Sequence, residues 1–149
     1  MSYTIEKASI ADIGHILPLL MAYRDFYKCT TVSEKEIGRF IEDRLQKNES
    51  DIWLAFIEEK AVGIAQAYAC FTTLGLGKIY ILNDLLVEKS QRQLGIGNAL
   101  IKVVVNYAKQ KNAKRVDLKT AHDNHQAKKL YERFGFIQDE KFDSYSLTL

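Results

Sequence analysis

Arg92-Gln93-Leu94-Gly95-Ile96-Gly97 lies between an apolar, strand-like run, Ile79 to Val87, and a run of helical periodicity, Gly97 to Gln110. A strand that enters a glycine turn and leaves as a helix is a seat for an anion. The two glycines let the backbone curl so that successive N–H groups converge, and the helix adds the positive end of its macrodipole. Spacing narrows the choice of anion. A dinucleotide fingerprint G-x-G-x-x-G would require glycine where this chain has Leu100, and the turn comes too late to follow the first strand of a Rossmann unit. Gly75-Leu76-Gly77-Lys78 is no triphosphate loop either, because Thr72 stands in place of the leading glycine and Ile79 in place of the hydroxyl residue after the lysine.

Outward from the turn, the chain alternates helical and strand patterns. Tyr3 to Ala8 reads as a strand, and Ser9 is placed to cap a helix with apolar positions Ile13, Ile16, Leu17, Leu20 and Tyr27. Pro18 predicts a kink or a late start. Ser33 with Glu36 forms a capping box for a second helix carrying Ile37, Phe40, Ile41 and Leu45 on one face. Strands follow at about 52–58, 61–73 and 78–87, with a tight turn at Glu59-Lys60, which predicts an antiparallel meander. A third helix carries Ile96, Leu100, Val103 and Tyr107, a strand spans Arg115 to Thr120, and a fourth helix carries Ala127, Leu130, Tyr131 and Phe134. Two short strands, near Phe136 to Glu140 and Phe142 to Leu147, would complete the sheet. The fold class is α/β with a mixed sheet of six to seven strands, in the order β-α-α-β-β-β-α-β-α-β-β.

With 149 residues and 47% apolar content, the chain can bury one core, so a single domain over 1–149 is expected. It contains neither an apolar run of membrane-spanning length nor a signal peptide, which points to a cytoplasmic protein without a membrane partner. Cys29 and Cys70 lack metal or redox spacing, and are expected as reduced, mostly buried thiols. His122 and His125 sit in a loop without a third ligand, and His15 has no partner visible in sequence, so no metal is expected. Residues 102–133 carry nine Lys or Arg against three acids, a local balance of +6 within a formal net charge of +2. That basic stretch has no recognition motif or interleaved aromatics, which argues against nucleic acid as a partner.

The pattern R-x-x-G-x-G, preceded by Asp84-Leu85-Leu86-Val87 and followed by an amphipathic helix, resembles the acetyl-CoA-binding motif of the GNAT N-acetyltransferase superfamily. Downstream, Asn124-His125-Gln126-Ala127-Lys128-Lys129-Leu130-Tyr131-Glu132-Arg133-Phe134-Gly135-Phe136 is similar to that superfamily's N-x-x-A-x-x-x-Y-x-x-x-G-F signature. The resemblance implies helices on both faces of a sheet whose fourth and fifth strands splay apart, with acetyl-CoA as co-substrate. Backbone groups of Leu85, Leu86 and Val87 would pair with the pantetheine arm as an added strand does. The N–H groups of Arg92, Gln93, Leu94, Gly95, Ile96 and Gly97, with Asn98, would hold the pyrophosphate. Many relatives have glycine where this chain has Gln93, a change of little consequence if only its backbone is used. Asn124 would contact the cofactor arm, and Tyr131 would be the general acid for the leaving thiolate. A phenol of pKa ~10 facing a thiolate of roughly 8.5 makes that transfer reasonable.

Asp84 is the candidate base. The run Tyr80 to Val87 resembles strand four of the diamine and thialysine acetyltransferase branch, with Asn83-Asp84 where that branch has Glu-Asp. The alternative role for Asp84 is structural, bonding backbone or the Tyr23 to Tyr27 region. Asp25, Glu34 and Glu36 lie in or beside the segment expected to wall the acceptor side, which favours a cationic primary amine: a small amine, a polyamine or a lysine side chain. Neither cysteine has an adjacent base, so direct attack is expected rather than an acyl-enzyme. A homodimer is among the expectations, and a non-catalytic acyl-CoA-binding or regulatory domain is the alternative function.

Overall fold

In the computed structural model, which describes residues 2–149, Ser9 accepts the N–H of Ala11 while Asp12 reaches back to the Ser9 N–H. The expected cap thus forms, but on a single 3-10 turn, Ile10–Asp12. Helix α1 starts late, at Ile13, and runs to Phe26 straight through Pro18. The proline deprives only the exposed Gly14 carbonyl of its helical donor, a loss water can make good. Helix α2, Glu34–Gln46, opens on the full Ser33–Glu36 capping box. Phe40 departs from the expected apolar face: it is half exposed, with the Arg44 guanidinium 4.7 Å from its ring.

By internal packing the chain divides into two compact units, one ending at Lys119 and one beginning at Thr120. The first holds a five-stranded sheet in simple chain order: β1 Thr4–Lys7, β2 Asp51–Ile57, β3 Lys60–Thr72, β4 Gly77–Val87 and β5 Val116–Leu118. The first four strands form the antiparallel meander, and β5 adds parallel to β4. Helix α3, Ile96–Gln110, supplies the crossover. Because side chains alternate across a strand, the central strands β2, β3 and β4 bury residues on both faces of the sheet. Ile52, Leu54, Ile64 and Leu86 pack with Ile16, Leu19 and Leu20 of α1 and Ile41 of α2. On the other face a Cβ added to Gly63 would sit 3.2 Å from Ile96 and Leu100 of α3, so glycine there lets the helix lie close to the sheet.

The second unit contains α4, His125–Phe134. Gly135, at φ +114°, closes it in a left-handed cap, with the N–H groups of Gly135 and Phe136 both bonded to the Tyr131 carbonyl. Ala127, Leu130, Tyr131 and Phe134 are half-buried, as the helical spacing predicts, and Lys128 joins them.

Two expectations are corrected. Residues 136–149 form no strand, so the mixed sheet has five strands rather than six or seven, and Ile137, Phe142, Tyr145 and Leu147 are largely exposed. A strand exists by pairing, and an apolar pattern names no partner. Both thiols are exposed rather than buried. Cys29 falls in the loop after α1, and Cys70 lies on the part of β3 beyond Ala67, where β2 no longer pairs with it.

Candidate active site

The register between β3 and β4 breaks at one point. Gln66 pairs with Asp84 and Ala67 with Leu82, which leaves Asn83 as the extra residue of a β-bulge. Pairing with β5 ends at the same level: Tyr80, Ile81 and Leu82 oppose Val116, Asp117 and Leu118, while β4 continues for five more residues. The Glu88 N–H donates to Val62 across β3. Backbone polar groups alternate in direction along a strand, so those of Leu85 and Val87 turn to the edge where β5 pairing has stopped. That edge can accept another extended chain.

Beyond Val87 the chain makes a 3-10 turn, Lys89–Gln91, and enters the glycine turn. Arg92 bends back, its Nε donating to the Val87 carbonyl at 3.1 Å, so its side chain fastens the turn to the end of β4. Gln93 and Gly95 both take left-handed conformations, φ +69° and +83°. Gly95 is the N-cap of α3, and no side chain caps that helix. Ala99 is the first residue whose N–H finds the Gly95 carbonyl, which leaves the N–H groups of Ile96, Gly97 and Asn98 as the orphan donors of the first turn. Together with the macrodipole they form a compact positive site. Leu94 is exposed and Ile96 buried, so the two residues beside Gly95 serve opposite sides of the turn. Alongside lies a cleft of about 580 Å³, lined by Ala22 and Phe26 of α1 and by Leu86, Val87, Ser90 and Arg92. Its volume is in the range of small-molecule sites.

Asp84 is buried, at 8% exposure. Its Oδ2 accepts from Gln66 Nε2 at 2.6 Å and from Asn83 Nδ2 at 3.0 Å, and Gln66 Oε1 in turn accepts from Ser50 Oγ at 2.6 Å. The Tyr23 hydroxyl donates to the backbone carbonyl of Asn83, the residue before Asp84, at 3.1 Å. Near Asp84, the Tyr68 phenol is pushed up to about 12 by burial first and by the Asp84 charge second, with Arg44 acting in the opposite sense. Tyr23, Tyr27 and Phe26 form an aromatic group with ring separations of 4.9 and 5.1 Å.

The acids of the 23–36 segment have other engagements. Asp25 is exposed and held by Arg24 at 2.8 and 3.0 Å, and Glu34 is exposed. Glu36 caps its own helix, where the bonds from Ser33 hold its carboxyl below the usual range. In the second unit, Asn124 Oδ1 accepts the Ala127 N–H at 3.2 Å, so this side chain is the N-cap of α4 and keeps its NH₂ for donation. Tyr131 is half-buried, its ring edge-on to Phe136 at 5.9 Å. His122 and His125 are exposed, and among the described residues no group of three or more His, Cys, Asp or Glu is placed to hold a metal. Nor, among the described residues, is any helix long and apolar enough to cross a membrane.

The family model for the GNAT acetyltransferases matches residues 19–136. An uncharacterized N-acetyltransferase of Bacillus subtilis, YhfO, is 35% identical over 145 residues, 97% of each chain. A solved structure of a probable acetyltransferase superimposes with a TM-score of 0.90 at 32% identity, covering 98% of this chain and 97% of that one. A predicted acetyltransferase from Clostridium acetobutylicum, solved with acetyl-CoA, shares the fold at a TM-score of 0.79 and 19% identity, over 97% and 96% of the two chains. A mixed sheet whose fourth strand outruns its parallel neighbour into an uncapped glycine turn is thus that of an acetyltransferase. The chain belongs to the GNAT family.

Proposed function

We propose that this protein transfers the acetyl group of acetyl-CoA to a cationic primary amine by direct attack. The observation that carries the reading is the continuity of two binding elements: the open edge of Leu85 to Val87 leads, through the Arg92 clamp, into the three orphan N–H groups of α3. An extended amide-bearing arm pairs with the first and its pyrophosphate with the second. The family's use of acetyl-CoA, and its presence in the Clostridium acetobutylicum acetyltransferase, support that donor.

In the reaction the neutral amine attacks the thioester carbonyl, the C–N bond forms, and the C–S bond breaks. Tyr131 gives its proton to the departing thiolate, and Asn124 donates its remaining N–H bonds to the donor arm. The ammonium gives its first proton through water to Asp84, which lies buried beside the bulge, and the second, lost by the nitrogen once the C–N bond has formed, returns to the Tyr131 oxygen. A small amine, a polyamine or a lysine side chain meets this chemistry, in keeping with the likeness of β4 to the diamine and thialysine branch.

The acceptor is tested with Asp84→Asn. kcat/KM for a diamine should fall roughly 10²-fold, with a much smaller loss for an uncharged aryl amine, and added salt should narrow the difference. With the parent protein and a diamine, the rate should climb between about pH 7 and 9, because only the neutral amine reacts and its fraction grows with pH. Equal losses for both amine types, or a best acceptor carrying net negative charge, would remove Asp84 from the acceptor site.

A further inference from the structure

We propose that Gln66 is a positioning residue for acetyl transfer: it fixes the Asp84 carboxylate by Oδ2 and leaves Oδ1 as the oxygen that takes the amine proton. The inference rests on the reading of Asp84 as the proton acceptor. Among the described residues, three buried polar or charged side chains interrupt the core, Ser50, Gln66 and Asp84, and all three belong to one line of hydrogen bonds. The line runs from the entry of β2 across β3 to β4. Ser50 precedes β2, Gln66 sits on β3, and Asp84 stands directly opposite Gln66 on β4. Buried polar groups weaken a core unless they are bonded, and an apolar trio of similar volume would serve stability as well or better.

The direction of the line is forced by its last member. An ionised carboxylate only accepts, so Gln66 must present its NH₂ to Asp84 and its carbonyl to Ser50, whose hydroxyl then donates. A glutamine held by one partner could rotate its amide; held by both, it cannot. The bulge adds the Asn83 amide to the same oxygen, so both side-chain donors meet at Oδ2 and neither at Oδ1. Charge-assisted bonds of this kind are strong and directional, and orientation is what a proton-accepting group needs. The other groups around the carboxylate leave this division intact. Tyr68 on β3 stays a neutral phenol, Arg44 on α2 is paired with Asp43 and Glu49, and Tyr23 on α1 bonds the Asn83 backbone.

The test compares Gln66→Met, Ser50→Ala and Asp84→Asn with the doubles Gln66→Met/Asp84→Asn and Ser50→Ala/Asp84→Asn, reading kcat, KM for acetyl-CoA and KM for a diamine. Gln66→Met alone should lower kcat roughly tenfold with KM for acetyl-CoA unchanged, because only the acceptor-side proton is disturbed. In the Asp84→Asn background the same change should cost less than about twofold, since the group it positions is gone. Should Gln66→Met not fold, Ser50→Ala, which leaves both donors on Asp84, is read the same way: a loss of roughly threefold alone and none in the Asp84→Asn background. Losses that multiply in the doubles, or a parent-like kcat for Gln66→Met, would make Gln66 a purely structural residue. If Asp84→Asn itself keeps full turnover, the role of Asp84 falls and that of Gln66 with it; if Asp84→Asn is impaired but the effects multiply, the positioning role alone is wrong.

Discussion

Gly97→Glu is expected to raise the dissociation constant for acetyl-CoA at least roughly 10²-fold while leaving the protein folded. Position 97 is the second residue of α3, in the turn whose N–H groups have no acceptor. A carboxylate introduced there is well placed for the helix itself, because acids in a first turn complement the macrodipole. It is badly placed for a pyrophosphate, which would meet a like charge at its own donors, a juxtaposition that costs several kcal/mol. Stability and binding should therefore move in opposite directions or independently, which separates loss of the site from loss of the fold. Calorimetry measures both quantities. A variant that binds CoA as tightly as the parent would remove the glycine turn from the binding site.

Tyr131→Phe should lower kcat roughly 10²-fold with little change in affinity for acetyl-CoA, the size associated with one general acid. Phenylalanine keeps the ring that meets Phe136 edge-on at 5.9 Å, so the C-terminal turn of α4 is preserved and only the hydroxyl is lost. Stopped-time assays of CoA release at saturating acetyl-CoA, beside a binding titration of the same variant, separate the two effects. Unchanged turnover would leave Tyr131 as a packing residue of its helix.

What the sequence discloses is what is local. The capping box at Ser33 and Glu36, the apolar stripe of α4 and the strand, glycine turn and helix around Gly95 are each determined within a few neighbouring residues, and each forms as read. Pro18 does not set the start of α1, which begins at Ile13 after the Ile10–Asp12 turn and runs through the proline. Features that depend on pairing were hidden. Asn83 became a bulge because of how β3 aligns with β4, and Gln66 and Ser50 joined Asp84 because three strands meet at that level. Nothing near Gln66 in sequence marks it. The Arg92 side chain was hidden for a related reason, since its motif drew attention to backbone N–H groups, whereas its guanidinium closes back on Val87. The exposure of Cys70 likewise follows from where β2 stops, and the segment after α4 stays unpaired although its apolar pattern reads as strand, because a pattern names no partner.

The reaction itself is tested most directly by incubating the full chain with isotopically labelled acetyl-CoA and a diamine, then following the label by mass spectrometry. Direct transfer requires one labelled acetamide for each CoA released, and no labelled protein when the amine is withheld. Labelled protein that passes its acetyl group to later-added amine would contradict direct attack, and CoA released without acetylated amine would contradict amine acetyltransfer altogether.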